Sequence, residues 1–303
     1  MPLLKILKLA RPEHWLKNGF VFVALIFSGN LFSLPSLRDS LIAFAAFCLA
    51  SSAVYFLNDY RDRAADALHP TKQHRPLASG ALPPWVGPVG FVILCGTAVS
   101  VALYFLGGLS TAILVAYLLL NIGYSLGLKR LVIIDVLIIA TGFVLRVLAG
   151  AAAIGVMPSR WLVLCTITIS LFLGFTKRRS EVLQLGDSRV SHRSVLAHYS
   201  AAFLDQMISV VTAATVVCYI LYTVDAATVR MVGSSMLIFT VPLVLYGMFR
   251  YLYLVYHTRD ADDPTRTLYA DVPLLITGGA WVVLCAVIIF YGKDLLSLAN
   301  RLF

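Results

Sequence analysis

Long apolar runs constrain this chain more than anything else in it. Nine of them, at about 18–34, 41–57, 86–106, 109–127, 131–152, 160–176, 203–224, 236–256 and 272–291, are close to the length that a helix needs to cross a bilayer. They lack the alternation of membrane-barrel strands, so helices are the only way to satisfy their backbone groups in lipid. Composition agrees. Of 303 residues, 60% are apolar and 13% charged, and the mean hydropathy is +0.87. A soluble domain would have about 45–50% apolar and about 25% charged residues, and a disordered one still fewer apolar residues. The expected fold is an all-α polytopic membrane protein with nine transmembrane helices. The polar connections around 58–85 and 177–202 are too short for a separate soluble domain, so residues 1–303 read as a single integral-membrane domain.

Cations set the expected orientation. Eighteen of the 24 Lys and Arg residues fall on one set of helix ends, from Lys5, Lys8, Arg11 and Lys17 through Arg259 and Arg266. Five (Arg38, Arg160, Arg230, Lys293, Arg301) fall on the other, and Arg146 lies inside a run. The positive-inside rule then places the N-terminus in the cytoplasm and, with nine spans, the C-terminus outside. Most acids, including Asp187, Asp205, Asp260, Asp262, Asp263 and Asp271, share the cationic side. A site facing the cytoplasm from the inner (plasma) membrane follows. The net charge of +9 fits anionic headgroups and gives no reason to expect nucleic acid. The basic, amphipathic N-terminus has no cleavable-signal layout and reads as an interfacial segment. The five cysteines lie in apolar runs without metal-ligand spacing and read as packing residues.

The most informative stretch is Tyr55-Phe-Leu-Asn-Asp-Tyr-Arg-Asp-Arg-Ala-Ala-Asp66. Asp59, Asp62 and Asp66 recur three and four apart and share a helix face. Three carboxylates on one stripe repel one another unless a cation lies among them, and Mg²⁺ suits carboxylate plus phosphate oxygens. A plain charged helix end solvated by Arg61 and Arg63 is the alternative. The next loop adds Lys72 and Arg75 between the stiffening Pro70 and Pro76, with His69 and His74 nearby. Metal-binding acids beside phosphate-binding cations describe a diphosphate site.

The Asn58–Asp66 pattern resembles the NDxxDxxxD motif of the UbiA superfamily of membrane prenyltransferases, and the HPxKxxRPLAxG that follows is similar to the same family's loop. The resemblance implies a UbiA-type helical bundle and a metal site of Asn58, Asp59, Asp62 and Asp66. Aromatic prenyltransferases of this superfamily carry a second acidic motif after the sixth span. Here that place reads Gly174-Phe-Thr-Lys-Arg-Arg-Ser-Glu-Val-Leu183, with Lys177, Arg178 and Arg179 and the single acid Glu181. This departure, with Arg11-Pro-Glu-His-Trp-Leu-Lys-Asn18, Gly142-Phe-Val-Leu-Arg146 and Tyr199…Leu204-Asp-Gln-Met207, resembles the decaprenyl-phosphate phosphoribosyltransferase branch. That branch moves ribose 5-phosphate from phosphoribosyl pyrophosphate (PRPP) to a polyprenyl phosphate, toward cell-wall arabinan.

Charge balance suits that reaction, because PRPP and a lipid phosphate bring three phosphorylated groups. The cations expected to meet them are Lys17, Lys72, Arg75, Lys129, Arg130, Arg146, Lys177, Arg178 and Arg179. Arg146, deep in a span, costs about 2.5–3.5 kcal/mol to insert and needs an anion or a partner such as Asp205. Lys129 and Arg130 also fit as interfacial anchors, and Tyr124 and Tyr199 as phosphate donors or belt aromatics. The small residues around Gly107-Gly108, Gly150 and Gly278-Gly279 read as helix-packing positions. The expected roles are Asp59, Asp62 and Asp66 on Mg²⁺ and pyrophosphate, with Lys177–Arg179 and Glu181 on the 5-phosphate and ribose hydroxyls. A prenyltransferase acting on an aromatic acceptor predicts the missing second acidic motif. A transporter predicts charges in several spans and paired repeats. Homo-oligomerisation is left open.

Overall fold

The computed structural model of the chain describes residues 2–68, 72–185, 194–257 and 270–302. His69, Pro70, Asp187, Arg189, Arg193, Arg259, Asp260, Asp262, Asp263 and Arg266 lie outside the described residues, as do the side chains of Lys293 and Arg301. Every regular element among the described residues is helical. Two compact units result: Met1–Leu25 with Asn30–Met157, and Ile26–Gly29 with Pro158–Phe303.

In the first unit, α1 (Pro2–Ala10) leads into a 3₁₀ segment (Pro12–Phe22), and the short α2 (Val23–Phe27) begins there and ends among the residues of the second unit. The long α3 (Leu34–Ala67) follows, then α4 (Val86–Leu106), α5 (Gly108–Leu126) and α6 (Ile134–Ala153). The second unit contains α7 (Arg160–Leu185), α8 (Ala201–Val224), α9 (Ala226–Val232), α10 (Val241–His257) and α11 (Val272–Leu302). Eight helical stretches among the described residues are long and apolar enough to cross a membrane.

The expected first helix, 18–34, is the exception to the count of nine, because those residues divide among the 3₁₀ segment, α2 and a turn. The segment nevertheless runs antiparallel to α3. Arg11 meets Asp59, Trp15 Nε1 donates to Ser52 Oγ, Asn18 Nδ2 donates to Cys48 Sγ, and Phe22 packs on Phe44. Geometry explains the 3₁₀ winding. Eleven residues at about 2.0 Å each rise about 22 Å, which matches the fifteen steps of α-helix from Phe44 to Asp59. An α-helical segment would fall several ångströms short of that register.

Local chemistry sets the helix ends. Ser33 accepts from Ser36 N at the start of α3, and Ser200 accepts from Phe203 N at the start of α8. Asp225 caps α9 by accepting from Thr228 N and Ala227 N, and these amides hold its carboxyl below the usual range. Gly107 adopts φ +83° between α4 and α5, so it makes a turn rather than a packing notch. Gly150 does act as a notch: a Cβ there would lie 1.9 Å from the Val21 carbonyl oxygen. At Gly278 and Gly279 a Cβ would meet nothing within 4 Å, so neither is a tight packing position among the described residues.

Candidate active site

The acid stripe sits on helix, as its spacing predicts, because α3 continues about ten residues beyond the apolar run and ends at Ala67. Asp59 and Asp66 are buried, at 2% and 5% exposure, and Asp62 is half-buried. Their neighbours are cations drawn from three separate parts of the first unit. Arg11 Nη2 donates to Asp59 Oδ1 at 2.6 Å. Arg75 Nη1 donates to Asp66 Oδ2 at 2.6 Å and to Asp59 Oδ1 at 3.2 Å. Lys129 Nζ lies 2.7 Å from both carboxylate oxygens of Asp62 and 3.4 Å from Asn58 Oδ1.

Arg61 and Arg63 do not perform this neutralisation. Arg63 donates to the Tyr60 carbonyl and lies over the Tyr60 ring, and Arg61 is exposed. The charged-helix-end alternative therefore fails at the residues it named. Like charges at i,i+3 and i,i+4 are tolerated here because long-range folding brings an opposite charge to each.

Arg11 was expected as a cytoplasmic cation and as the start of the Arg11–Asn18 resemblance, with no site role of its own. It holds a left-handed backbone (φ 52°, ψ 61°), and its guanidinium lies 4.6 Å over the Tyr55 ring while it grips Asp59. A positive φ on a non-glycine residue is uncommon and costs free energy that the surroundings must offset. Similarity of the Arg11–Asn18 stretch was the only sequence signal for it. A contact spanning 48 residues leaves no trace in local periodicity.

A cavity of about 230 Å³ opens beside Asp59, lined by Lys8, Arg11, Glu13, His14, His74, Arg75 and Pro76 as well. Lys17, Lys72 and Tyr124 are half-buried elsewhere in the first unit, and Arg130 is exposed.

The donor set can be tested against Mg²⁺. Asn58, Asp59, Asp62 and Asp66 offer hard oxygens on one face, as Mg²⁺ prefers. Among the described residues, no three Asp, Glu, His or Cys side chains converge into a cage. Arg75 and Lys129 occupy the oxygens instead. Such a set suits an ion that arrives with phosphate and water ligands, which is how Mg²⁺ usually binds.

Arg146 is buried at 8% exposure and meets no carboxylate among the described residues. Its Nε donates to Asn18 Oδ1, Nη1 to the Gly142 carbonyl and Nη2 to Tyr117 Oη, at 2.8, 2.8 and 3.0 Å. The rings of Tyr117, Phe143 and Phe47 surround its Cζ at 4.7, 5.4 and 5.9 Å. Neutral hydrogen bonds and cation–π contacts thus take the place of the alternative partner Asp205, while the expected role of Arg146 toward a substrate phosphate is a separate matter that these contacts do not decide.

In the second unit, Arg178 is buried and donates to Glu181 one turn along α7. Arg179 Nε donates to Asp205 Oδ1 at 2.5 Å and lies 4.0 Å over the Tyr256 ring, and Tyr256 Oη donates to the same carboxylate. Lys177 is half-buried beside them on α7. Tyr199 is 2% exposed and stacks on Phe203, which makes it a packing residue rather than an interfacial one.

Comparison with known proteins identifies the family. The model of the UbiA prenyltransferase family matches residues 19–271. The decaprenyl-phosphate phosphoribosyltransferase of Corynebacterium glutamicum is 33% identical over 94% of this chain and 86% of its own length. The Mycobacterium tuberculosis protein of the same name is 28% identical over 95% of each. Among solved structures, a UbiA homolog from Archaeoglobus fulgidus bound to GPP and Mg²⁺ superposes with a TM-score of 0.70 at 16% identity, covering 96% of this chain and 99% of that one. Helical architecture, the stripe on α3 and the matched residues lead to one conclusion: this chain belongs to the UbiA prenyltransferase family.

Proposed function

We propose that this enzyme transfers ribose 5-phosphate from PRPP to a polyprenyl phosphate and releases pyrophosphate. The observation that carries the reading is the pairing of every carboxylate of the α3 stripe with a basic side chain. Such a cluster exchanges its internal ion pairs for phosphate oxygens at little electrostatic cost. Lys177, Arg178 and Arg179 supply further positive charge where an aromatic prenyltransferase would carry acids. The phosphoribosyltransferase names of the similar proteins support the same donor and acceptor.

Asn58, Asp59, Asp62 and Asp66 would hold Mg²⁺, which supplies charge neutralisation on a leaving diphosphate. Arg75 and Lys129 bind the diphosphate oxygens and stabilise the negative charge that grows as the C1–O bond breaks. Ribose C1 gains oxocarbenium character and is attacked by a lipid phosphate oxygen. That oxygen is already anionic at neutral pH, so no general base is needed. In-line displacement inverts C1 and gives polyprenyl-phosphoryl-β-ribose 5-phosphate, a precursor suited to cell-wall arabinan. Lys177 and Arg179 are assigned to the 5-phosphate. Glu181, oriented by Arg178, is assigned to a ribose hydroxyl. Residues 1–303 act as one transferase domain, in the inner membrane, with the site facing the cytoplasm.

The test is direct. Purified protein with Mg²⁺, labelled PRPP and a polyprenyl phosphate should yield a labelled lipid. A parallel reaction with geranyl diphosphate and 4-hydroxybenzoate should yield none. A prenylated aromatic product without a phosphoribosyl lipid would overturn the reading.

A further inference from the structure

Asp205 has no part in the transfer chemistry so far, yet it sits where three helices of the second unit meet on one guanidinium. Arg179 of α7 donates from Nε to Asp205 Oδ1 of α8 at 2.5 Å. Tyr256 Oη of α10 donates to the same oxygen at 2.9 Å, and the Arg179 guanidinium carbon lies 4.0 Å over the Tyr256 ring. Arg179 Nη1 makes only a long contact, 3.4 Å, with the Val255 carbonyl.

The neighbouring arginine is held differently. Arg178 pairs with Glu181 one turn along α7, so a single helix fixes both groups. Arg179 takes its carboxylate from α8, 26 residues away, and its aromatic plate from α10. A free arginine gives up much rotamer freedom when it binds an anion, whereas one already held against a ring gives up less. The anchored edge is Nε, which leaves the terminal nitrogens as donors to a ligand in a fixed fork.

A carboxylate cancels the charge of the cation it touches, so as a source of charge Asp205 opposes anion binding. What it offers an anion site is geometry. Its side chain is 38% exposed, so the pair adds little to stability. Room for a ligand adjoins it. A groove of about 530 Å³ on α8 is lined by Asp205, Gln206, Met207, Ser209 and Val210, within the range of about 300–1,000 Å³ that small-molecule sites occupy. Gln206 and Ser209 are exposed there and add polar atoms beside the carboxylate.

We propose that Asp205 and Tyr256 are positioning residues for the donor: together they hold the Arg179 guanidinium so that its terminal nitrogens meet the 5-phosphate of the phosphoribosyl group. The identity of that phosphate rests on the phosphoribosyl-transfer reading, whereas the positioning of Arg179 rests on the three-helix contact alone.

Alanine and asparagine at position 205 separate position from charge. Both remove the same negative charge, and only asparagine keeps an acceptor oxygen for Arg179 Nε and Tyr256 Oη. Binding of ribose 5-phosphate to the full chain in detergent, measured without acceptor lipid, should weaken about tenfold in Asp205→Ala and less than about threefold in Asp205→Asn, the scale of one misplaced charge-assisted contact. Tyr256→Leu should follow the alanine variant and Tyr256→Phe the asparagine variant, because phenylalanine keeps the ring against the guanidinium. In turnover, Asp205→Ala should raise the KM for PRPP about tenfold and leave kcat and the acceptor KM within about twofold, as for lost ground-state binding. Its unfolding midpoint should stay near that of wild type. Equal binding in the alanine and asparagine variants, or tighter binding than wild type in both, would mean that the carboxylate acts by charge alone and would overturn the proposal. So would a fall in kcat with the PRPP KM unmoved, or no binding of ribose 5-phosphate to wild type. If wild type forms phosphoribosyl lipid without the alanine-to-asparagine order, the proposal falls by itself. If it forms none while ribose 5-phosphate binding keeps that order, the positioning stands and the transfer reading falls.

Discussion

Lys129 Nζ lies 2.7 Å from each carboxylate oxygen of Asp62, which ties the turn after α5 to the acid stripe of α3 across 67 residues of sequence. Both side chains are partly exposed, at 19% and 31%, so screening limits what the pair adds to stability. Lys129→Ala should change stability by less than about 1 kcal/mol. It should lower turnover more than about tenfold, through loss of a charge-assisted contact to the leaving diphosphate. Thermal unfolding in detergent, read beside initial rates, separates the two effects.

Asp59 is the most enclosed carboxylate of the stripe and accepts from Arg11 and Arg75 together. Asp59→Asn keeps an oxygen for one guanidinium, so the protein should remain folded in detergent while turnover disappears. Asp59→Ala leaves both guanidinium groups without that acceptor and should unfold at lower temperature than the Asn variant. Size-exclusion profiles with unfolding midpoints give the comparison, and normal rates in Asp59→Asn would remove the residue from the reaction.

Arg146 holds Asn18, Gly142 and Tyr117 in one guanidinium fork. An ammonium group cannot reproduce three such directions at once. Arg146→Lys should therefore destabilise, and Arg146→Ala should cost about 3 kcal/mol by leaving buried polar groups without partners. Loss of monodisperse protein should accompany loss of activity at this position, unlike at Lys129.

Two glycines should respond in opposite senses. At Gly150 a methyl group collides with the Val21 backbone, so Gly150→Ala should cost about 1–3 kcal/mol as the 3₁₀ segment is pushed away. At Gly96, inside α4, a methyl group meets nothing within 4 Å. Gly96→Ala should stabilise by up to about 1 kcal/mol through helix propensity. Unfolding midpoints of the two variants, measured side by side, check the contrast.

Asp271 accepts two hydrogen bonds from Arg250 and caps α11 through Leu274 N, and the Arg250 guanidinium is the main reason its carboxyl titrates below the usual range. A depressed folded-state pKa means that its stabilisation is complete above the unfolded value near about 4. It disappears as pH falls through the lower folded value. The midpoint of wild type should drop more steeply below about pH 4 than that of Asp271→Asn, whose capping amide does not titrate in this range.

Sequence by itself determined the helical class, the membrane setting and the acid stripe. Length of apolar run and three-and-four spacing are local properties, and lipid permits few answers to them. The α3 stripe lies where Asp59, Asp62 and Asp66 predicted, and the family followed from the same residues. Tertiary structure decided which charges meet. Arg11 was an ordinary member of a basic tail until an antiparallel 3₁₀ segment carried it to Asp59. Lys129 could equally have been an anchor at the interface, and Arg146 could have faced Asp205. Each choice depends on contacts between residues tens of positions apart, on chain rise matched to the length of α3, and on the notch at Gly150. Such matches are properties of packed surfaces, and no periodicity along the chain encodes them.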